Sequence, residues 1–178
     1  VEHGAHAGQL SIFERPWVRQ VGCCVVVEFN HLRKIEARLI DDLETPVTAY
    51  LKLGHGRPYA FLYESVEGGA WRGRYSIIAL DPDLVWRARG DTAEVARGDG
   101  VARDEWVAEA GSSLDSLRRL VAASRMTLPP ALPPMAAGLF GVLGYDMIRL
   151  VEPLGPANPD PLDLPDAVMM RPQIVAVF

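Results

Sequence analysis

The stretch from Phe61 to Asp81, FLYESVEGGAWRGRYSIIALD, leaves a folding chain few choices. Tyr59, Phe61 and Tyr63 alternate with Ala60, Leu62 and Glu64, the period-2 signature of a strand with one face on a core. The EGG at 67–69 interrupts the pattern with backbone freedom, and Tyr75 to Leu80 resumes it as a strand rich in Ile and Tyr. If the two runs pair, the Glu64 carboxylate and the Arg74 guanidinium lie close across the ladder, with the Ser65 hydroxyl beside them. Such a rim suits a ligand carrying both an ammonium and a carboxylate, because Glu64 can pair with the first while Ser65 and nearby N–H groups donate to the second. The same residues also read as an ordinary cross-strand ion pair beside a strand-end serine, and taken alone they favour that plainer account.

Around this stretch the chain alternates short strands and helices. Thr45 followed by Pro46 is an N-cap with proline at the first helical position, so a helix is expected over Pro46–Leu53, stopping at Gly54, with Val47, Tyr50, Leu51 and Leu53 as its apolar stripe. The DPD at 81–83 is expected to reverse the chain into a strand over Leu84–Arg89, and Gly90-Asp91 to reverse it again into Thr92–Arg97. Alternation of arginine with Val or Trp gives these strands one wet and one dry face. Gly98 to Gly111 reads as irregular. Leu114, Leu117, Leu120 and Val121 fall at helical spacing behind a cap at Ser112 or Ser113. LPPALPPM at 128–135 is a stiff connector.

Ala136 to Gly144 reads as a strand whose glycines, at 138, 141 and 144, let a neighbouring element approach the backbone; their spacing is not that of a dinucleotide fingerprint. Tyr145 to Val151 turns helical, and Met169 to Phe178 is a strand whose apolar end, Gln173 to Phe178, is expected to stand as an unpaired edge. Residues 1–35 show no sustained period and are read as a poorly defined N-terminal extension. The sum is an α+β fold, a large mainly antiparallel sheet with a few covering helices.

Charge and composition exclude several functions. The formal net charge is −5, two lysines are present (Lys34 and Lys52), and no Lys/Arg-rich face stands out, so no nucleic-acid partner is expected. No apolar run approaches the length that a membrane span needs, about 18 residues, and Val21 to Val27 has seven. No membrane partner is expected, and the expected location is cytoplasmic. Cys23 and Cys24 are adjacent, a spacing poor for a disulfide, and no second pair completes a zinc site. His3 and His6 lack a third ligand. Asp160, Asp163 and Asp166 share a proline-rich loop without paired glutamates or basic residues beside them, which reads as a solvated loop. No catalytic or metal-ligating set is found.

A resemblance adds to this reading. FLYESVEGG followed by GRYSIIALDPDLVW resembles the LLES and RYS blocks near the N-terminus of component I of anthranilate synthase, the chorismate-using enzyme that opens tryptophan biosynthesis. DLETPVTAYLKL, ending at Leu53, and GLFGVLGYDMIRLVE at 138–152, followed by DPLDLPDAVMMRPQIVAVF at 160–178, agree in order, so the resemblance covers roughly residues 36–178. It implies the truncated N-terminal domain of a chorismate-utilising enzyme, with the C-terminal chorismate-binding domain beyond Phe178. In that family the Ser of LLES contacts the feedback inhibitor tryptophan, the preceding Glu lines the same pocket, and an upstream Pro forms a wall. Ser65, Glu64 and Pro46 take those places here.

The resemblance also implies Mg2+ bound in the C-terminal domain, L-tryptophan as an inhibitor and a glutamine amidotransferase subunit as a partner. Tyr63, Ala79 and Val142 depart from the Leu, Gly and Tyr usual in the family, and VEPLG at 151–155 replaces VERLP. Two other readings stand beside this one. The first is the aminodeoxychorismate synthase component of folate biosynthesis, which carries similar RYS and GYD blocks but is disfavoured by the Glu64-Ser65 pair and ETPV. The second is a free-standing, non-catalytic amino-acid-binding module, disfavoured by the apolar edge expected at 173–178.

Because the residues that would hold Mg2+ and chorismate are not found, the chain alone is expected to form no anthranilate from chorismate with either glutamine or ammonia. Chorismate-dependent anthranilate fluorescence from the pure protein would contradict this.

Overall fold

The computed structural model describes residues 24–30, 33–39, 45–64, 75–130, 132–156 and 159–178. In chain order its strands are β1 (Cys24–Asn30), β2 (Arg33–Leu39), β3 (Phe61–Glu64), β4 (Ser76–Arg89), β5 (Thr92–Arg97), β6 (Val107–Ala108), β7 (Phe140–Leu143) and β8 (Ala167–Val177). The α-helices are α1 (Pro46–Leu53), α2 (Asp99–Ala102) and α3 (Ser113–Ala123), and 3₁₀ turns cover Pro134–Ala136 and Tyr145–Leu150. The strands form one sheet in the order β2-β1-β8-β4-β5-β6, with β3 added on β4 and β7 on β8. All these pairings are antiparallel. The fold is therefore α+β, a mainly antiparallel sheet with a few helices.

Two long strands, β4 and β8, form the spine. Ile77–Leu80 pairs with Ile174–Val177, and Leu84–Ala88 pairs with Ala167–Arg171, with a register shift between Pro82 and Leu84. At the shift Pro82 faces Pro172, two residues that lack the N–H a ladder requires. The first half of the spine is flanked by β1 and β3, the second by β5 and β7.

The reversal expected at 81–83 does not occur. Asp81 takes a left-handed backbone with φ of 49°, the strand kinks, and β4 continues in the same ladder because β8 offers a partner on both sides of the break. Arg171 closes it, donating from Nε to Asp83 Oδ1 at 2.8 Å and from a terminal nitrogen to Oδ2 at 2.7 Å. That bidentate bond also raises the guanidinium pKa further above its ordinary value, against the opposing effect of burial. The next reversal is the expected one: Gly90 and Asp91 join Arg89 to Thr92, with Gly90 at φ of 52°.

The expected edge at Gln173–Phe178 is also overturned. β8 lies inside the sheet, Val175 and Val177 are 0% and 4% exposed, and Phe178 exchanges backbone hydrogen bonds with Ser76 at 2.9 and 3.1 Å. Its second neighbour is β1, from residues read as an indistinct N-terminal extension. The boundary expected after residue 35 falls inside β2.

α1 begins and ends as expected. Thr45 and Thr48 form a reciprocal cap, Pro46 opens the helix and Gly54 caps its end. Its buried face differs: Ala49 and Leu53 pack on Ile78, Leu80, Ile174 and Ala176, with Tyr50 partly buried beside them. Val47 and Leu51, expected inside, are 45% and 55% exposed.

α3 is capped by Ser112, whose hydroxyl accepts from Asp115 N at 3.1 Å. It buries Leu120 with Leu84, Trp86, Ala88 and Val95, while Val121 faces outward. The face bearing Leu120 also carries Leu114 and Leu117, the period expected of an amphipathic helix.

Other expectations need adjustment. Gly98–Gly111 contains the single turn α2 and the edge strand β6. The helical stretch expected from Tyr145 is present as a 3₁₀ helix over Tyr145–Leu150. β3 starts at Phe61 because Tyr59 turns left-handed, with φ of 57°. Burial, reinforced by the Asp104 carboxylate, raises the Tyr59 phenol above its ordinary pKa. The glycine-dense strand is shorter than expected, and the close approach expected at its glycines is found at Gly141 and Gly144 but not at Gly138, where a Cβ would meet open space. A Cβ at Gly141 would sit 1.9 Å from the Val168 carbonyl oxygen, so only glycine allows β7 this close to β8.

Gly141→Ala is accordingly expected to destabilise the fold by about 2–3 kcal/mol. A fall in the urea midpoint of unfolding checks this, and an unchanged midpoint would show that β7 can move aside at little cost.

Candidate functional site

The tip of the β3–β4 pair is the candidate site. In its register Phe61 faces Ala79, Leu62 faces Ile78, Tyr63 faces Ile77 and Glu64 faces Ser76. The residue opposite Glu64 is therefore Ser76. Ser65, Arg74 and the glycine-rich connection between them lie outside the described residues, and so does the expected Glu64–Arg74 pair.

Side chains two apart on a strand share a face. Leu62 packs with Tyr50 and the buried residues of α1, so Glu64 belongs to the face of the sheet that α1 covers. Pro46 stands at the first position of that helix, partly exposed. The Tyr50 hydroxyl donates to Ala60 O at 3.4 Å, tying α1 to the residue before β3. Glu64 itself is exposed at the end of β3.

Phe61 and Tyr63 point to the opposite face. There they meet Phe140 of β7: the Phe61 ring lies 4.3 Å from Tyr63 and 5.4 Å from Phe140, centroid to centroid. The Tyr63 hydroxyl donates to Gly141 O at 3.3 Å. β3 and β7 flank opposite sides of the spine, so contact between them shows that the sheet curls over this face. The aromatic cluster covers Ala79, Val175 and Val177 and fixes the root of the strand that carries Glu64. Sequence reading found the alternation at 61–63 but not the partner, because nothing local to Phe140 signals which strand it will face.

The loop carboxylates do not converge. Asp163 pairs with Arg89 at 2.7 Å, Asp166 accepts from Gly90 N at 2.6 Å, and Asp160 accepts from Leu162 N at 3.0 Å. Each pins the loop or holds its own turn. Among the described residues no three His, Cys, Asp or Glu side chains come together as a metal site. No helix among them is long and apolar enough to cross a membrane.

The architecture is that of an antiparallel α+β chain, and comparison with known proteins places it more closely. No protein-family model matches the chain. Anthranilate synthase component 1 of Cereibacter sphaeroides is 52% identical over 144 residues, covering 81% of this chain and 29% of that protein. Its counterpart in Synechocystis is 43% identical over 141 residues, covering 78% and 27%; that of Thermus thermophilus is 37% identical over 153 residues, covering 84% and 30%. The crystal structure of anthranilate synthase component I from Streptococcus pneumoniae aligns over 77% of this chain and 27% of that one, with 23% identity and a TM-score of 0.48. The chain belongs to the anthranilate synthase component I family, and it spans less than a third of the length of the curated relatives it matches.

Replacing Phe140 with alanine removes the ring that holds β3 and β7 together, and is expected to cost about 2 kcal/mol, less than the full value for a buried ring because Phe140 is half-buried. Tyr63→Phe, losing one long and exposed hydrogen bond, is expected to cost less than about 0.5 kcal/mol. Equal losses in the two variants by denaturant unfolding would contradict this division.

Proposed function

We propose that this chain is the tryptophan-binding, regulatory portion of an anthranilate synthase component I. The complete enzyme is a lyase of the first step of tryptophan biosynthesis, converting chorismate and glutamine or ammonia to anthranilate and pyruvate. Its partner is a glutamine amidotransferase subunit, its Mg2+ is held in a C-terminal chorismate-binding domain, and it works in the cytoplasm. The observation that carries this reading is the 52% identity with anthranilate synthase component 1 over 81% of the chain. The placement of Glu64 on the α1 face of the sheet, the face to which Pro46 belongs, supports it.

In this reading Glu64 pairs with the ammonium of tryptophan, the Ser65 hydroxyl donates to its carboxylate, and Pro46 forms an apolar wall. A carboxylate, a hydroxyl donor and a wall are what a zwitterion with an aromatic side chain requires. The relatives reported above bear the anthranilate synthase name, which weighs against the folate-pathway reading. A free-standing amino-acid-binding module regains some ground, since β8 is interior and the exposed apolar edge that counted against it is absent.

The experiment is Ser65→Ala in the complete enzyme. Losing a hydrogen bond to a charged group costs about 1.5–3 kcal/mol, so the tryptophan concentration for half-inhibition should rise roughly 10- to 150-fold. Inhibition curves that overlay those of the parent, or a collapse of uninhibited turnover along with inhibition, would make Ser65 structural. Tryptophan binding by a complete protein that lacks anthranilate synthesis altogether would favour the free-standing module.

A further inference from the structure

Beneath the C-terminal end of α3, at the kink of β4, lies a cavity of about 260 Å³. Asp83 of the kink, Arg171 and Gln173 of β8, and Ser124 and Arg125 just past α3 form its polar walls. Ser124, Arg125, Met126, Ala137 and Gly138 also line an open groove of about 760 Å³, so the two spaces are continuous. The apolar side chains of the groove present surface to a ligand: Val121 and Met126 are 43% and 53% exposed, and Leu128 and Leu139 are half-buried. A Cβ at Gly138 would meet nothing within 4 Å, so the side on which cavity and groove meet is open.

The polar end is held in place and has hydrogen-bonding capacity to spare. Asp83 fixes the Arg171 guanidinium through Nε and one terminal nitrogen, and the other terminal nitrogen has no partner among the described residues. Gln173 stands two residues further along β8, so its amide shares a face of the sheet with Arg171. That amide is half-buried and also without a partner among the described residues. The Ser124 hydroxyl is withdrawn from water and unpartnered, a state that costs free energy until an acceptor arrives. One charge is left over as well. Among the described residues Asp83 is the only carboxylate in the lining and Arg171 matches it, while Arg125 has no partner. The carbonyl end of α3 opposes an anion here, but by less than one charge-assisted hydrogen bond contributes.

We propose that cavity and groove together bind an amphipathic organic anion, a carboxylate on a medium-length aliphatic chain. The carboxylate sits between Arg125 and the free edge of Arg171, where Gln173 donates from its amide and Ser124 changes rotamer to donate its hydroxyl. The chain lies over Val121, Met126 and Leu139. With the anion bound, Arg125 is balanced and the polar end is neutral. The groove falls within the range usual for small-molecule sites, about 300–1,000 Å³, and its methionine and aliphatic side chains adapt to a flexible chain and offer no ring on which to stack.

The test is titration of the full chain with octanoate and, separately, with octanol and with acetate, following the Met126 methyl resonance, assigned by its absence in Met126→Leu. The expected result is a saturable shift with octanoate and at least about tenfold weaker binding of octanol, which lacks the charge, and of acetate, which lacks the chain. Arg125→Gln, at an exposed position without a partner, is expected to raise the octanoate dissociation constant at least about tenfold. Arg118→Gln, on the outer side of α3 where Arg118 pairs with Asp115, should leave it unchanged. Ser124→Ala is expected to weaken octanoate about tenfold and to raise the urea midpoint of the unliganded chain, because it removes a hydroxyl that only the ligand satisfies. Equal affinity for octanoate and octanol would reduce the site to an apolar groove, and no saturable shift at millimolar octanoate would leave the cavity to solvent alone. Equal weakening by the two arginine variants would show unspecific attraction to positive charge, and a Ser124→Ala chain with a lower midpoint and unchanged affinity would make the serine structural. Each outcome stands apart from tryptophan inhibition at Ser65, so either proposal can fail without the other.

Discussion

The clamp between Asp83 and Arg171 is the contact on which the sheet depends. It sits where Pro82 and Pro172 face each other and the ladder has no N–H to offer, with the Asp83 side chain 13% exposed and that of Arg171 34%. Losing one partner of a charged pair that is only partly buried costs about 1.5–3 kcal/mol, so the pair acts less as a source of stability than as a condition on register. It joins two half-sheets that carry different loads. One half supports α1, β1 and β3, and with them the tip bearing Glu64. The other supports α3, β5 and β7, and Arg171 reaches from the clamp to the cavity beneath α3.

What could be read from the sequence divides along a physical line. α1 was legible at both ends because a threonine cap, a first-turn proline and a terminal glycine act over a few residues. The β4–β5 hairpin was legible for the same reason at Gly90 and Asp91. Which face of α1 is buried was legible only in part: Tyr50 and Leu53 lie inward as expected, but Ala49, the smallest side chain, lies innermost while Val47 and Leu51 point outward, because close packing on the sheet favours a small residue. The DPD at 81–83 has the composition of a turn and becomes a kink, since its outcome depends on a partner strand some ninety positions away. The interior placement of β8 depends on β1, whose pairing carries no local mark.

The candidate site was legible in part. Glu64 and Pro46 could be named from their blocks, and the alternation in FLYE assigns Glu64 to the side of Leu62 once α1 is known to cover it. The closure of the opposite face by Phe61, Tyr63 and Phe140 was hidden, because contacts between strands that are not neighbours in the sheet follow from its curvature and not from any residue pattern. The strand tip is the part of the candidate site marked by sequence blocks.

The order of the strands has a consequence for how the polypeptide is made. β8 emerges after every other described element, yet it runs through the middle of the sheet, between β1, the first described strand, and β4. Until it leaves the ribosome, β1 and β4 have no common neighbour, and the apolar faces of Ile78, Leu80 and Val85 have only part of their cover. Local elements such as the β4–β5 hairpin and α3 can form during synthesis, but the core cannot close before β8 arrives, and the wait for contacts so distant in sequence makes folding slow. The nascent chain thus passes through a stage in which unpaired strands invite association with other chains or capture by chaperones.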